Sequence, residues 1–180
     1  MQGPEDLKQC PTCHESGRKV EAQTLVALLA TRARTRVLSS VQYRFCKEPT
    51  CDTVYFEEGS EAAFSQTDLR VPVFQKSSDP ARPVCYCFGH SVAEIARDAA
   101  QSGASPVLAE ITEKCCQGLD RCETENPQGS CCLGNVRQVI KEALAASTEQ
   151  GRATTSVEDA AADAAADAPD CCTTNPKRRG

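Results

Sequence analysis

A chain of 180 residues with 4% aromatic residues and no tryptophan lacks the material for a large aromatic core, and small units of this kind commonly draw stability from metal sites. Its 25 acidic residues outnumber 20 basic ones, giving a formal net charge of −5, so the basic footprint that phosphate binding needs is missing and no nucleic-acid partner is expected. Thirteen cysteines fit either a disulfide scaffold or a metalloprotein, and the compartment decides between them.

The opening residues, Met1-Gln2-Gly3-Pro4-Glu5-Asp6-Leu7-Lys8, carry no basic stretch followed by an apolar run, so no secretory leader is expected. No segment approaches the roughly 18 apolar residues of a membrane span. A reducing, cytoplasmic location is therefore expected, where clustered cysteines act as metal ligands or redox groups.

The spacing predicts an α+β chain, beginning with a small zinc-bound β-hairpin subdomain over residues 8–76. Cys10-Pro11-Thr12-Cys13 is a knuckle that aims two thiolates at one point. A second pair, Cys46 and Cys51, lies between Val41-Gln42-Tyr43-Arg44-Phe45 and Thr53-Val54-Tyr55-Phe56. These β-branched and aromatic flanks predict a hairpin with the metal loop at its tip. Cys10, Cys13, Cys46 and Cys51 make an all-sulfur tetrahedral set suited to a structural zinc ion. His14 stands beside Cys13, and four cysteines suffice without it. Thr24-Leu25-Val26-Ala27-Leu28-Leu29-Ala30 reads as a short helical cover, and Arg32, Arg34 and Arg36 as a solvated face. From Glu57 to Pro83 the chain is polar apart from Leu69-Arg70-Val71-Pro72-Val73-Phe74, and Pro80 and Pro83 mark residues 77–83 as a linker.

A small helical subdomain is expected over residues 84–147. It opens on Val84-Cys85-Tyr86-Cys87-Phe88-Gly89-His90, a C-x-C pair on extended backbone. Ser91 and Glu94 form a capping box leading into a helix that Gly103 ends. Ser105-Pro106 starts a second helix, running to about Lys114. Val136, Val139, Ile140, Ala143 and Leu144 fall at i, i+3, i+4, i+7 and i+8, the stripe of an amphipathic helix whose N-terminus adjoins Cys131 and Cys132. A second thiolate site would draw on Cys85, Cys87, Cys115, Cys116, Cys122, Cys131 and Cys132, each vicinal pair supplying at most one ligand. Ligand type leaves zinc and iron both open. Residues 148–180 form an Ala/Asp-rich tail with little to bury, expected to be disordered, and they carry the vicinal pair Cys171-Cys172.

The C-x-C-F-G-H motif, together with Cys122-Glu123-Thr124-Glu125-Asn126-Pro127-Gln128-Gly129-Ser130-Cys131-Cys132-Leu133-Gly134-Asn135-Val136, resembles the iron-sulfur half of the CopZ-type copper chaperone amino-terminal region. That half is itself similar to bacterioferritin-associated ferredoxin, and residues 10–83 resemble the zinc-binding half of the same family. The resemblance implies a 2Fe-2S cluster on Cys85, Cys87, Cys122 and one of Cys131 or Cys132, with Cys132 preferred because it stands four residues before Val136 at the helix start. It further implies a metallochaperone that carries copper to a metal-transporting ATPase or another acceptor protein, its cluster donating the electron that takes Cu(II) to Cu(I). Many members end in a heavy-metal domain with its own C-x-x-C, whereas this sequence ends in the tail bearing Cys171 and Cys172. A vicinal dithiol suits soft cargo, Cu(I) first and Hg(II) or As(III) after it. The alternative expectation is a ferredoxin-type electron-transfer protein without cargo; a third, a zinc-ribbon adaptor, conflicts with the acidic balance. No Ser/His/Asp set, phosphate loop or paired catalytic carboxylates is legible, so no catalytic residues are expected beyond metal-ion reduction at the cluster.

Overall fold

The structure, a computed structural model, describes residues 6–152. The alternation in Tyr43-Arg44-Phe45 buries both aromatics and builds β2, Tyr43–Phe45. It pairs antiparallel with β3, Thr53–Glu57, placing Phe45 opposite Tyr55 and Tyr43 opposite Glu57. This is the expected hairpin, with residues 46–52 at its tip. Two three-residue strands extend it on either side. β1, Arg18–Val20, pairs with β2, and β4, Ala63–Ser65, pairs with β3, giving a four-stranded antiparallel sheet in the order β1-β2-β3-β4. The polar stretch from Glu57 to Pro83 thus contributes a strand that its composition concealed.

Successive side chains of β3 point to opposite faces of the sheet. Tyr55 joins Val20, Leu25, Leu29, Tyr43 and Phe45 in one core, whereas Phe56 packs on Cys10, Cys46 and Cys51. The short apolar run forms α1, Ala22–Leu28, and the basic stretch begins in α2, Thr31–Arg34. Arg36 stays half exposed, paired with Asp68 at 2.8 Å and stacked 4.5 Å from the Phe64 ring centre.

The second half begins with a two-stranded antiparallel ribbon of β5, Pro83–Cys85, and β6, His90–Ser91. Helix α3, Val92–Ser102, opens on the capping box: Glu94 N–H donates to Ser91 Oγ at 3.2 Å, and Ser91 N–H donates to Glu94 Oε2 at 3.3 Å. It stops at Gly103, in the left-handed conformation at φ 73°. Helix α4, Pro106–Cys116, starts at the Ser105 cap, and α5, Cys122–Glu125, is a single turn. Helix α6 runs Leu133–Arg152, three residues earlier than its apolar stripe begins. Val84, Ile95, Val107, Ile111, Val136 and Val139 form a second core, which also takes in Cys115.

Side chains from the sheet half hold α5 and the loop between α5 and α6. Thr24 Oγ1 donates to Glu123 O at 2.6 Å, and the fully buried Tyr55 hydroxyl donates to Pro127 O at 2.8 Å. No helix among the described residues is long and apolar enough to cross a membrane.

Candidate metal centres

The knuckle at residues 10–17 folds back on itself because Cys10 N–H donates to Glu15 O and His14 N–H to Cys10 O, both at 2.9 Å. His14 takes the left-handed conformation, φ 61°, and its side chain is exposed, apart from the thiols. Gly17 closes the turn against the sheet: a Cβ there would lie 2.5 Å from the Phe56 ring, so only glycine allows this approach. Across the hairpin tip, Cys46 N–H donates to Val54 O and Cys51 N–H to Glu48 O.

These turns bring Cys10, Cys13, Cys46 and Cys51 together with all four sulfur atoms within 4.8 Å of one another. The Sγ–Sγ separations are 3.9 Å for Cys10–Cys51 and 3.6 Å for Cys13–Cys46. A tetrahedral ion with metal–sulfur bonds of ~2.3 Å sets its ligands roughly 3.8 Å apart, so the cage fits zinc without rearrangement. Three of the four cysteines are buried, which matches a closed structural site. Burial pushes the Cys46 thiol well up, opposed first by the backbone hydrogen bond from Glu48 and then by Lys76, whose Nζ lies 3.8 Å from Cys46 Sγ. Burial is the largest single influence on Cys10, but hydrogen bonds from the backbone N–H groups of Cys13 and Thr12 and from the Cys13 and Cys46 thiols together hold it below its ordinary value.

The second group is arranged differently. Cys85 ends β5, Cys87 follows one residue on, Cys122 begins α5, and Cys132 immediately precedes α6. Cys87 Sγ and Cys122 Sγ stand 3.7 Å apart. The Cys132 thiol hydrogen-bonds with Cys85 and holds its thiol below the ordinary value against burial; Cys122 does the same for Cys87. Arg121 N–H adds a hydrogen bond to Cys87 Sγ at 3.3 Å. Among the described residues, only the first site has three or more ligand atoms all within 4.8 Å of one another. The second group is therefore less compact than the first, with Cys85 partnered by Cys132 and Cys87 by Cys122. Cys131, half buried, lies beside both Cys122 and Cys132 and interacts with each thiol. Cys115 is packed in the second core and Cys116 is exposed. Cys171 and Cys172 lie outside the described residues.

Two residues that sequence reading passed over, Asn126 and Gln128, organise this loop, and both are buried. Asn126 Nδ2 donates to Ser130 O at 2.8 Å, and Gln128 Nε2 donates to Cys131 O at 2.8 Å. The N-P-x-G spacing carried the signal, since a buried amide at the head of a tight turn satisfies backbone groups that would otherwise be stranded. Gly129 turns the loop at φ 63°, where a Cβ would meet Val20 Cγ2 at 2.8 Å. His90 is buried beside the ribbon, its Nδ1 3.2 Å from Glu94 Oε1 and its Nε2 3.6 Å from Glu110 Oε1. From its place opposite Cys85 in the ribbon, it reaches acidic side chains of α3 and α4.

Comparison with known proteins matches residues 7–70 to the zf_CopZ family, described as a zinc binding domain. The sequence is 28% identical over 127 residues to the copper chaperone CopZ of Archaeoglobus fulgidus, covering 70% of this chain and 58% of that protein. The chain thus spans well under two thirds of the length of that relative. Its fold matches the X-ray structure of the Archaeoglobus fulgidus CopZ N-terminal domain with a TM-score of 0.58 at 24% identity, over 73% of this chain and 96% of that one. The mixed α+β architecture of antiparallel sheet and helices is therefore that of the CopZ N-terminal domain.

Proposed function

We propose that the protein is a cytoplasmic metallochaperone with two resident metal centres that handles copper or another soft metal ion. Residues 8–76 hold a structural zinc ion on Cys10, Cys13, Cys46 and Cys51. Residues 84–147, joined to them by residues 77–83, hold a 2Fe-2S cluster on Cys85, Cys87, Cys122 and Cys132. The observation that carries this reading is the two-by-two arrangement of the second thiol group beside a closed tetrahedral set. A mononuclear ion needs its four sulfurs around one point, whereas a two-iron cluster takes two thiolates at each iron.

When bound, a 2Fe-2S cluster supplies a single electron, which is what the reduction of Cu(II) to Cu(I) consumes. The chain's own part is to fix the ligands and shield them. Gln128 and Asn126 lock the loop backbone, the second core covers Cys85 and Cys132, and the Arg121 N–H stabilises negative charge on Cys87. The proposed cargo thiols are Cys171 and Cys172, whose softness suits Cu(I), Hg(II) or As(III), and the proposed recipient is a metal-transporting ATPase or another acceptor protein. The name and fold of the Archaeoglobus relative support this assignment.

Elemental analysis with optical and EPR spectra of anaerobically prepared protein tests the two centres; one zinc and two irons per chain are expected. Titration with Cu(I), with and without residues 148–180, tests the cargo role. Absence of tight Cu(I) binding at any site would leave the second reading, a ferredoxin-type electron-transfer protein. The half-exposed position of Cys87 favours that reading, because it brings one ligand toward the surface.

A further inference from the structure

The segment Pro72–Lys76 touches both thiol groups. At its start, the Tyr86 hydroxyl accepts from Phe74 N–H at 2.9 Å and donates to Pro72 O at 2.8 Å. Tyr86 is the residue between Cys85 and Cys87, so this clamp fixes the C-x-C turn to the segment. In its middle, Gln75 Nε2 donates to Gln128 Oε1 at 2.8 Å, and Gln128 in turn holds the carbonyl of Cys131. At its end, Lys76 Nζ donates to Glu48 O at 2.6 Å and to Cys51 O at 2.9 Å, and lies 3.8 Å from Cys46 Sγ. One five-residue stretch thus grips the hairpin-tip loop with an ammonium group and both ligand loops of the second group with neutral hydrogen bonds.

We propose that residues 72–76 couple the two centres, with Lys76 and Tyr86 as positioning residues at the ends of the link. The inference rests on the assignment of a metal to the first thiol set. Four thiolates around a divalent ion carry a net charge of −2, while four neutral thiols carry none. Metal in the cage therefore strengthens the hold on the Lys76 ammonium, which approaches one of those sulfurs directly. Because Lys76 lies one residue from Gln75 and two from Phe74, a firmer grip at its end restrains the hydrogen bonds that align Tyr86 and Gln128. Coupling of this kind is reciprocal: loosening either end weakens the other.

The test uses the full chain, anaerobically prepared, with zinc and iron quantified in every sample. Lys76→Met removes the charge but keeps the length. Hydrogen exchange, read by mass spectrometry, is expected to rise about fivefold over residues 85–89 and 128–132, the scale of one lost hydrogen bond, with zinc still at one per chain. Tyr86→Phe, made in the other half, is expected to speed chelator-driven zinc release by a similar factor. The double variant is expected to release zinc no faster than Tyr86→Phe with Lys76→Met predicts for one shared path, that is, less than the product of the single effects. Because the coupling is reciprocal, unchanged exchange in Lys76→Met or unchanged zinc release in Tyr86→Phe overturns it, as does full multiplicativity of the two. Lack of iron in the wild type overturns the cluster assignment alone, since exchange and zinc release are still measured. Should Lys76→Met fail to fold, Tyr86→Phe and Gln75→Leu are read by the same zinc-release assay.

Discussion

Cys131 and Cys132 are neighbours with different surroundings, and on the proposed assignment Cys132 is the cluster ligand. Cys132 is buried in the second core, its thiol is hydrogen-bonded with Cys85, and its carbonyl accepts from Val136 N–H at 3.0 Å to begin α6. Cys131 is half buried, and its carbonyl is committed to Gln128. Cys132→Ser is therefore expected to abolish the visible absorbance of the cluster, and Cys131→Ser to keep two irons per chain with a changed visible dichroism. The opposite pattern of iron contents would reassign the fourth ligand. Gly129 supplies a second residue-scale prediction. Its left-handed backbone costs a side chain about 1–2 kcal/mol, and an added methyl meets Val20 at 2.8 Å. Gly129→Ala is expected to lower the melting temperature by at least roughly 2–8 °C, at roughly 2–4 °C per kcal/mol, as read by circular dichroism.

At the scale of elements, the helices were the legible part, because their signals are local. Ser91 with Glu94, Gly103, and Ser105 with Pro106 sit within one turn of the ends they specify, and the structure uses each as written. Ser91→Ala is accordingly expected to cost about 1 kcal/mol, measured by denaturant unfolding at constant slope. The central hairpin was legible from its aromatic alternation. Its outer strands were not, since three residues such as Ala63-Phe64-Ser65 or Arg18-Lys19-Val20 hold too little pattern to separate a strand from a turn, and their pairing is settled by the neighbour. The first thiol set followed from spacing alone. The second did not: nothing near Cys132 in sequence shows that its thiol meets Cys85 while Cys122 meets Cys87. Lys76 was hidden for the same reason, lying beside a proline-marked linker yet reaching back to Cys46, 30 residues earlier.

At the scale of the whole molecule, two cores and two thiol groups raise the question of whether the chain unfolds as one body. The contacts between halves answer it. Tyr55 belongs to the sheet core and is fully buried, yet its hydroxyl is spent on Pro127 O in the loop of the other half. Thr24 does the same to Glu123 O, and Gly129 sits directly on Val20. Withdrawing the sheet half would break these hydrogen bonds and expose to water the apolar surface packed around them, including Val20 against Gly129, so each half loses burial that it cannot replace alone. Zinc in the cage contributes folding energy to the sheet half, so its removal reaches the loop as well. The expectation is a single unfolding transition, coincident by far-UV dichroism and tyrosine fluorescence, that shifts down as a whole when zinc is chelated. Tyr55→Phe, which keeps the ring and deletes only the donor, is expected to lower that shared transition by about 1–3 kcal/mol while leaving zinc at one per chain. Two separated transitions in the wild-type protein, only one of them sensitive to Tyr55→Phe, would show instead that the halves fold independently and that the loop is positioned by its own amides.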